Sequence, residues 1–394
     1  MKVLTFTSLY PNNIWPNHGV FIKERMTCFA ALEGCRLKVV APVPYFPRVK
    51  INWRWRYSQV LPHEMRDGIE VYHPRYCLTP KVGMTLYGLM MFLSVLATVK
   101  KIRADFDFDL IDAHYVFPDG FAGVLLGWYF RKPVVVSARG SDINQYANLP
   151  LIRQLLRYTL GKAKSVIAVC QALNEAMIDL GVAPEKIRVI PNGVDHDKFF
   201  PVPQAEARKK LGLPTDKRII LSVGGLVPRK GFDVLIKALS RLARKSSTGD
   251  FYLAIVGDGP AREALEKLAA SLGLGENVRL IGSVPHEELN SWYSAADLFC
   301  LVSDREGWPN VLLESLACGT PVVATNIWGV PEIIRSETIG LLTERTEQAV
   351  AATLARAFET RWVADDLTAY AKQHSWERVA QSVHGVFESV LAEK

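Results

Sequence analysis

The stretch LFCLVSDREGWPNVLLESLACGTPVVAT, residues 298–325, contains the repeating pattern of the fold in one unit. An apolar run, LFCLV, is followed by a polar loop, a helical segment that starts near Pro309, and a second apolar run, PVVAT. A helix between two such runs indicates parallel strands that are buried on both faces. Within the stretch, EGWPNVLLE places Glu306 and Glu314 eight positions apart around the start of the helix.

The same alternation runs through the whole chain. Strands are predicted at 3–7, 37–42, 69–73, 110–115, 133–138, 165–169 and 187–190, and then at 218–223, 251–257, 278–282, 298–302, 321–325 and 339–342. Helical patterns separate most of them, including 19–34, 149–163 and segments that begin near Phe232, Ala261, His286 and Pro309. This predicts an α/β protein with two doubly wound, Rossmann-like domains, 1–195 and 196–375, that face each other across a ligand-binding cleft.

Composition fits a globular enzyme of that size. The chain has 394 residues, of which 49% are hydrophobic and 22% charged, and this length exceeds what one hydrophobic core usually serves. Its six cysteines form no C-x-x-C pair, which argues against a disulfide framework or a zinc site and favours a reducing cytoplasm. The N-terminal MKVLTFTSLYP has too short an apolar run for a signal peptide and suits a first buried strand.

Charge and hydropathy raise the question of a membrane partner. Residues 1–195 carry 24 basic and 15 acidic side chains, against 23 and 25 in 196–394. The segment RVKINWRWRY (48–57) is either a solvated loop or a basic-aromatic patch; as a patch it favours an anionic lipid surface, because no nucleic-acid motif accompanies it. Residues 82–99 lack charge and only just reach spanning length, so we expect a buried or membrane-grazing helix. Peripheral contact with the inner face of the cell membrane follows as an expectation.

Three loops of the second half suit a diphosphate. In GGLVPRKG (224–231) the glycines allow close backbone approach, and Arg229 and Lys230 add positive charge. GDGP (257–260) is a tight turn after a strand. Pro309 starts a helix and is expected to leave three backbone N–H groups free for an anion, those of Asn310, Val311 and Leu312. The alternative interpretations are a solvated helix start for RKG and an ordinary turn for GDGP.

The two glutamates then take separate roles. Carboxylates accept hydrogen bonds from vicinal hydroxyls, so one can hold a sugar and the other the ribose of a nucleotide. A glycoside hydrolase is a poorer fit, since its two carboxylates must flank one bond. A metal-dependent transferase is a second alternative, because DFDFD (105–109) contains D-x-D twice, although its place before a strand favours capping or solvation. The pattern favours a nucleotide sugar as ligand.

EGWPNVLLE followed by SLACGTPVVAT resembles the E-x7-E signature of retaining glycosyltransferases of family 4, which have the GT-B fold and include bacterial cell-surface polysaccharide enzymes. The likeness covers nearly the whole chain. Further segments that resemble the family are PNHGVF (16–21), DAHYVFPDG (112–120), ARGSD (138–142), PNGVD (191–195), VGDGP (256–260) and HSWERVAQSVHGVFESVL (374–391). In the family the final helix, here 376–394, packs back on the first domain.

The resemblance assigns roles by position. Glu306 would bind the donor sugar hydroxyls, Glu314 the ribose and Lys230 the diphosphate. His114 would lie near the donor sugar and the reaction centre. Further donor contacts are implied at Gly19, which allows close approach, and at the backbone N–H groups of Val311 and Leu312. Gly225 in the glycine loop and Asn310 at the helix start are also candidate donor-binding residues.

The chain departs from the family pattern at two positions. Gly225 stands where the family usually has arginine, so Arg229 is the candidate to replace that charge, and Arg139 stands where many members have histidine. The donor base and sugar depend on the pocket around GSVP (282–285), which makes Val284 a candidate contact.

The implied activity is metal-independent, retaining transfer of a hexose from a UDP, GDP or ADP sugar to a glycan or lipid-linked acceptor. The setting implied is cell-surface polysaccharide synthesis of the lipopolysaccharide kind, in the cytoplasm and without a cofactor. The alternative is a non-catalytic nucleotide-sugar-binding protein or an epimerase of the same fold. Donor, acceptor, linkage and oligomeric state do not follow from these motifs.

Overall fold

The computed structural model describes residues 1–50, 52–78, 83–245 and 251–393. Ile51, Lys81 and Val82, which belong to or flank the segments 48–57 and 82–99, lie outside these ranges. The chain forms two compact units, Met1–Asn192 with Trp376–Lys394, and Gly193–Ser375.

The first unit is built on an eight-stranded sheet of order β10-β9-β8-β7-β1-β2-β5-β4. Its strands are β1 (Lys2–Phe6), β2 (Arg36–Val40), β4 (His63–Arg66), β5 (Ile69–Tyr72), β7 (Leu110–His114), β8 (Val134–Ala138), β9 (Ser165–Ala168) and β10 (Ile187–Val189), while β3 (Val43–Pro44) and β6 (Arg75–Tyr76) pair separately. All neighbours in the large sheet are parallel except β4 and β5. The helices are α1 (Val20–Ala30), α2 (Tyr87–Asp105), α3 (Phe121–Phe130), α4 (Ser141–Asn144), α5 (Pro150–Lys162) and α6 (Gln171–Asp179).

The second unit has a six-stranded, wholly parallel sheet of order β13-β12-β11-β14-β15-β16. Its strands are β11 (Arg218–Val223), β12 (Phe251–Val256), β13 (Val278–Gly282), β14 (Leu298–Leu301), β15 (Val322–Thr325) and β16 (Gly340–Thr343). Its helices are α7 (Gln204–Leu211), α8 (Phe232–Lys245), α9 (Arg262–Ser271), α10 (Leu289–Ala295), α11 (Asn310–Ala317), α12 (Val330–Ile333), α13 (Glu347–Glu359) and α14 (Ala364–Ala371). The strand order reverses at β11 and β14, the switch point where such sheets bind ligands.

The last helix, α15 (Trp376–Ala392), belongs to the first unit. Its buried side chains pack against α1, and the rings of Phe29 and Phe387 meet edge to face with centroids 5.3 Å apart. Burying this apolar face stabilises the unit, at about 25 cal/mol for each Å² of apolar surface removed from water.

The predicted fold class is confirmed. Every strand predicted from an apolar run is present, with its ends within two residues of the prediction. The strands not predicted are β4, β3 and β6; β4 has no apolar run, and β3 and β6 have two residues each.

Helix α2 covers most of the uncharged segment 82–99. Within the described residues, Met84–Asp105 is the one helical stretch long and apolar enough to cross a membrane by length and composition, and 33% of its apolar window is buried. Met91, Val95 and Val99 are fully buried in the first unit, so one side of α2 belongs to the core.

Candidate functional site

Helix α11 carries Glu314 and follows the loop that holds Glu306. Leu312, Leu313 and Leu316 are fully buried and anchor the helix in the second unit. The expectation of three free N–H groups is wrong for Leu312, whose N–H donates to the Pro309 carbonyl at 3.1 Å, because the first turn closes with an i to i−3 bond. Within the described ranges, no acceptor is found for the Val311 N–H.

Glu306 lies in the loop before α11, and one of its two carboxylate oxygens is hydrogen-bonded within the described residues. Its Oε1 accepts hydrogen bonds from the Lys230 Nζ at 2.5 Å and the Ser303 hydroxyl at 2.6 Å. The side chains of Lys230 and Glu306 are 14% and 11% exposed, so the pair is largely withdrawn from solvent. In the described part of the chain, no donor reaches Oε2 of Glu306. One oxygen therefore orients the carboxylate, and the other is open to a ligand hydroxyl.

Glu314 has both oxygens engaged. The Tyr293 hydroxyl donates to Oε2 at 2.8 Å, and Nε2 of His286 lies 3.3 Å from Oε1. The ring of Phe199 meets the rings of both His286 and Tyr293, which fixes their orientation. Burial, together with the neighbouring Glu314 carboxylate, raises the pKa of Tyr293 well above its usual value, so this hydroxyl stays a neutral donor. A carboxylate has about four lone-pair positions, so Glu314 can still accept from a ligand.

The two basic residues of the short helical turn Pro228–Lys230 have different surroundings. Lys230 reaches Glu306, whereas Arg229 lines a cavity of about 590 Å³ together with Asp304, Arg305 and Arg345. The described residues that line this cavity do not include Lys230 or Glu306. Of the two residues predicted to bind the diphosphate, Lys230 contacts Glu306, whereas Arg229 lines the separate cavity.

The glycines of these loops have different reasons to be glycine. A Cβ on Gly257, whose φ is +141°, would lie 1.9 Å from the Gly224 carbonyl oxygen, so GDGP is held against GGLVPRKG backbone to backbone. The hydrogen bond from the Leu226 N–H to the Asp258 carbonyl (3.0 Å) joins the same two loops. Gly225 is exposed, and the nearest atom to a Cβ built there is 3.9 Å away. A side chain therefore fits at Gly225.

Val284 lies in the loop after β13, two residues before the His286 that contacts Glu314. This places the predicted GSVP loop beside the ribose candidate. Asn310 begins α11 and is partly exposed.

In the first unit, His114 is part of a buried polar chain. Its Nδ1 accepts from Arg139 Nη2 at 2.6 Å, so the proton is on Nε2, which donates to Asp112 at 2.9 Å. Arg139 also donates to Asn192 at 2.8 Å, and Arg25 lies 3.8 Å from Asp112. Burial, aided by the charge of Arg139, lowers the pKa of His114 to about 4, so the ring is neutral near pH 7. His114 is fully buried, with both ring nitrogens engaged.

The loops that resemble the family's N-terminal motifs are held by local bonds. Gly19 has a φ of +72°, and a Cβ there would lie 2.4 Å from the Leu9 carbonyl oxygen, so glycine is required for packing. Asp142 of ARGSD accepts from the backbone N–H groups of Val116, Arg139 and Gly140. It thereby ties ARGSD to DAHYVFPDG.

Asp119 was not predicted as a site residue. It is fully buried and accepts from the Ser8 N–H at 2.6 Å and the Ser8 hydroxyl at 2.9 Å. Burial raises the pKa of Asp119 to about 7, against the lowering effect of these bonds. The sequence signal was the apolar surroundings of DAHYVFPDG, which leave this carboxylate little solvent.

The D-x-D segment has structural partners. Asp109 accepts from the Lys2 N–H at 2.7 Å, at the start of β1, and Asp107 pairs with Lys132 at 3.0 Å. In the described residues, no group of three or more His, Cys, Asp or Glu side chains is placed to hold a metal ion.

Three further residues that contact the two glutamates of the second unit were not predicted from the sequence: Ser303, His286 and Tyr293. Ser303 is three residues from Glu306, but Tyr293 and His286 are 21 and 28 residues from Glu314. Tyr293 lies on α10 and His286 just before it, and both reach Glu314 because α10 packs beside α11.

Two family models match the chain, one in each half. The family model described as Glycosyltransferase Family 4 matches residues 34–198, and that of Glycosyl transferases group 1 matches residues 203–374. A putative teichuronic acid biosynthesis glycosyltransferase, TuaC of Bacillus subtilis, is 31% identical over 99% of both chains.

Solved structures are similar over the whole length. Sucrose-phosphate synthase from Thermosynechococcus elongatus matches with a TM-score of 0.79 and 20% identity, covering 100% of this chain and 99% of the other. Anabaena HepE in complex with UDP-glucose matches with a TM-score of 0.74 and 22% identity, covering 99% and 100%. Together with the two Rossmann-like units, these matches show that the chain is a glycosyltransferase of the GT-B fold and belongs to glycosyltransferase family 4.

Proposed function

We propose that the protein moves a hexose from a nucleotide-diphosphate sugar to a glycan or lipid-linked acceptor, with retention of anomeric configuration and without a metal ion. The observation that carries the proposal is the Lys230–Glu306 pair beside the start of α11. It places a cation and a half-free carboxylate at the switch point of the second sheet.

The pair suits the two parts of a donor. An ammonium group has three donors, so Lys230 can keep its bond to Glu306 and still bind a phosphate oxygen. The open Oε2 of Glu306 can accept from a sugar hydroxyl, and the Val311 N–H can add a bond to the diphosphate at the helix start. Glu314, farther along α11, is the ribose candidate, with Val284 near the base.

The transfer step balances without a cofactor. The bond from the anomeric carbon to the diphosphate oxygen breaks, and a bond from the acceptor oxygen to the same carbon forms on the same face. The acceptor proton passes to the departing diphosphate oxygen, which leaves a nucleoside diphosphate and a glycosylated acceptor. Lys230 stabilises the negative charge that develops on the leaving group, the kind of help that contributes most to such reactions.

His114 is proposed as a positioning residue rather than an acid or base. Its ring is neutral, fully buried and hydrogen-bonded at both nitrogens, so near pH 7 it has neither an acidic imidazolium proton nor a free lone pair. Its effect on the reaction would pass through the loops 112–120 and 138–142, which it helps to hold.

The similar proteins support the substrate class. HepE is described with UDP-glucose, and TuaC with teichuronic acid biosynthesis, a polysaccharide pathway. We infer a nucleotide sugar as donor and a cell-surface polysaccharide or its lipid-linked precursor as product, made in the cytoplasm.

A screen of UDP, GDP and ADP sugars by thermal unfolding tests the donor. A ligand at 100 times its Kd stabilises a protein by about 2.7 kcal/mol, so the true donor should raise the Tm of the full chain measurably. Product formation from that donor separates a transferase from a binding protein or epimerase. Lys230→Ala should lose the donor-dependent shift. If Arg229→Ala loses it instead, Arg229 has replaced the arginine missing at Gly225 and the assignment to Lys230 is wrong.

A further inference from the structure

The solvent face of α2 is apolar where a surface helix is normally polar. Leu86, just before the helix, and Leu89, Met90 and Leu93 are between 39% and 58% exposed. Their spacing of three and four residues places them on one side, opposite the buried Met91, Val95 and Val99. The stripe continues through Ala97 and ends at the exposed Lys100 and Lys101. The helix therefore has two apolar sides, and the core covers only one.

The exposed stripe continues onto the neighbouring helices α3 and α5. On α3, Trp128 is 77% exposed, and Tyr129 has its ring 6.5 Å from that of Phe92 and 5.1 Å from the Lys100 Nζ. On α5, Leu151 is 71% exposed. Tyr158, also exposed, has its ring 5.7 Å from that of Phe121 on α3. We call these eight side chains the apolar face: Leu86, Leu89, Met90, Leu93, Trp128, Tyr129, Leu151 and Tyr158.

The charge around the apolar face is almost wholly positive. Helices α2, α3 and α5 contain one acidic residue, Asp105, and six basic ones: Lys100, Lys101, Arg103, Arg153, Arg157 and Lys162. Two copies that met through this face would bring their positive charges together, which opposes association. An anionic partner matches it instead. Tryptophan and tyrosine, together with lysine and arginine, are also the side chains enriched where proteins meet lipid headgroups.

Two aromatic residues of the segment 48–57 line a different part of the first unit. Its short helix Trp53–Gln59 contributes Trp53 and Tyr57 to a separate cavity of about 360 Å³, which Trp15 and Tyr76 also line.

We infer that the apolar face docks on the surface of an anionic bilayer. Its leucine, methionine and aromatic side chains enter the boundary between headgroups and acyl chains, and the basic residues contact lipid phosphates. The helix does not span, because its other side, with Met91, Val95 and Val99, is fully buried in the first unit. The inference does not depend on the donor assignments above, which concern the second unit.

Vesicle co-sedimentation of the full chain tests this. The protein should pellet with phosphatidylcholine vesicles that contain phosphatidylglycerol, much less with phosphatidylcholine alone, and it should be released by high salt or carbonate. Leu89→Ser/Leu93→Ser should lower the partition coefficient about tenfold or more, since two large apolar side chains no longer leave water. Val363→Ser, at a 48% exposed site of the second unit, is the matched control and should bind as the parent does.

A second pair of variants tests the charge. Lys100→Ser/Lys101→Ser should weaken binding to the anionic vesicles, whereas Lys209→Ser/Lys372→Ser, at exposed sites of the second unit, should not. Thermal unfolding of each variant shows whether it is folded. The inference is overturned if the parent does not bind anionic vesicles or if both leucine positions can be changed without loss. It is equally overturned if carbonate leaves the protein in the membrane pellet, or if light scattering shows a dimer that the leucine variant converts to a monomer.

Discussion

Glu306 and Glu314 differ in how much of each carboxylate the protein itself occupies. Glu306 is held through one oxygen by Lys230 and Ser303, while Glu314 is held through both by Tyr293 and His286. The first is thus open toward a ligand in a way that the second is not. The assignment of one carboxylate to the sugar and the other to the ribose rests on this difference as well as on the motif.

Substitution of Glu314 and substitution of Glu306 should therefore have different effects on nucleotide affinity and turnover. Glu314→Gln should weaken free nucleotide by roughly 1.5–3 kcal/mol, the contribution of a hydrogen bond to a charged group. Glu306→Gln should leave free nucleotide affinity nearly unchanged and lower turnover of the sugar donor. Isothermal titration with nucleotide, beside product formation, measures both.

Tyr293→Phe is the control for Glu314, because it removes one protein bond to the carboxylate without changing the carboxylate. It should retain most of the nucleotide affinity. If Tyr293→Phe weakens nucleotide as much as Glu314→Gln does, the loss reflects orientation within the protein rather than a direct contact with ribose.

The missing arginine at Gly225 can be restored. A side chain fits there and the backbone is not in the left-handed region, so Gly225→Arg should fold normally. If the loop faces the diphosphate, a new charge-assisted bond should tighten free nucleoside diphosphate about tenfold. Calorimetry against Gly225→Ala isolates the guanidinium. Equal affinities in the two variants would place this loop away from the diphosphate.

His114 and Asp119 should give opposite pH dependences of stability. The pKa of His114 is lowered from 6.5 to about 4, so the unfolded chain binds the extra proton between these values and stability falls as pH falls. The pKa of Asp119 is raised from 3.8 to about 7, so the folded chain holds the extra proton and stability falls as pH rises. At about 1.4 kcal/mol for each pKa unit, the shift amounts to about 3 kcal/mol for His114 and about 4 kcal/mol for Asp119.

Replacing one of these two side chains should expose the pH dependence of stability that the other one causes. Relative to the parent, Asp119→Asn should lose stability as pH falls from about 7 toward 4, and His114→Gln should lose stability as pH rises from about 4 toward 6.5. Urea midpoints of the full chain across this range give the slopes. Parallel slopes in the parent and both variants would mean that neither group has a shifted pKa.

At the scale of elements, the sequence predicts the strands well and the contacts between loops poorly. Parallel strands that are buried on both faces are continuously apolar, so β11 and β14 can be predicted from their apolar runs. The hairpin strand β4, HEMR, lies at the sheet edge with partly exposed side chains and leaves no such run. The sequence leaves GDGP open as a phosphate turn or an ordinary turn, and what requires Gly257 is the carbonyl of Gly224, from a loop more than 30 residues away. No local pattern encodes such a contact.

Gly257→Ala should therefore destabilise the protein with or without ligand. The added methyl meets the Gly224 carbonyl and the φ is strained, which costs about 1–3 kcal/mol. This should lower Tm by several degrees, at about 2–4 °C for each kcal/mol in a domain of this size. Gly225→Ala is the control, because Gly225 follows Gly224 directly but has room for a methyl group, and it should leave Tm unchanged. An unchanged Tm for Gly257→Ala would mean that the two loops separate freely.

At the scale of the whole molecule, the two-unit division and the family could be read from repeated β-α units and motifs, because both depend on local patterns. The arrangement inside each site could not. The separation of Arg229 from Lys230 and the withdrawal of His114 into a buried chain depend on side-chain directions that packing decides. The apolar stripe of α2 was visible as composition, but which side of the helix is exposed needed the structure.

The central claim is metal-independent transfer with retention, and the most direct test is the anomeric form of the product made in the presence of EDTA. The full chain is incubated with the donor from the thermal screen, with water standing in for the acceptor, and the released sugar is followed by proton NMR before mutarotation. An α-linked donor should first give the α-anomer, at a rate that EDTA does not change and that Lys230→Ala lowers by a factor on the order of 10². First appearance of the β-anomer, or loss of turnover on chelation that Mg²⁺ or Mn²⁺ restores, would contradict the account.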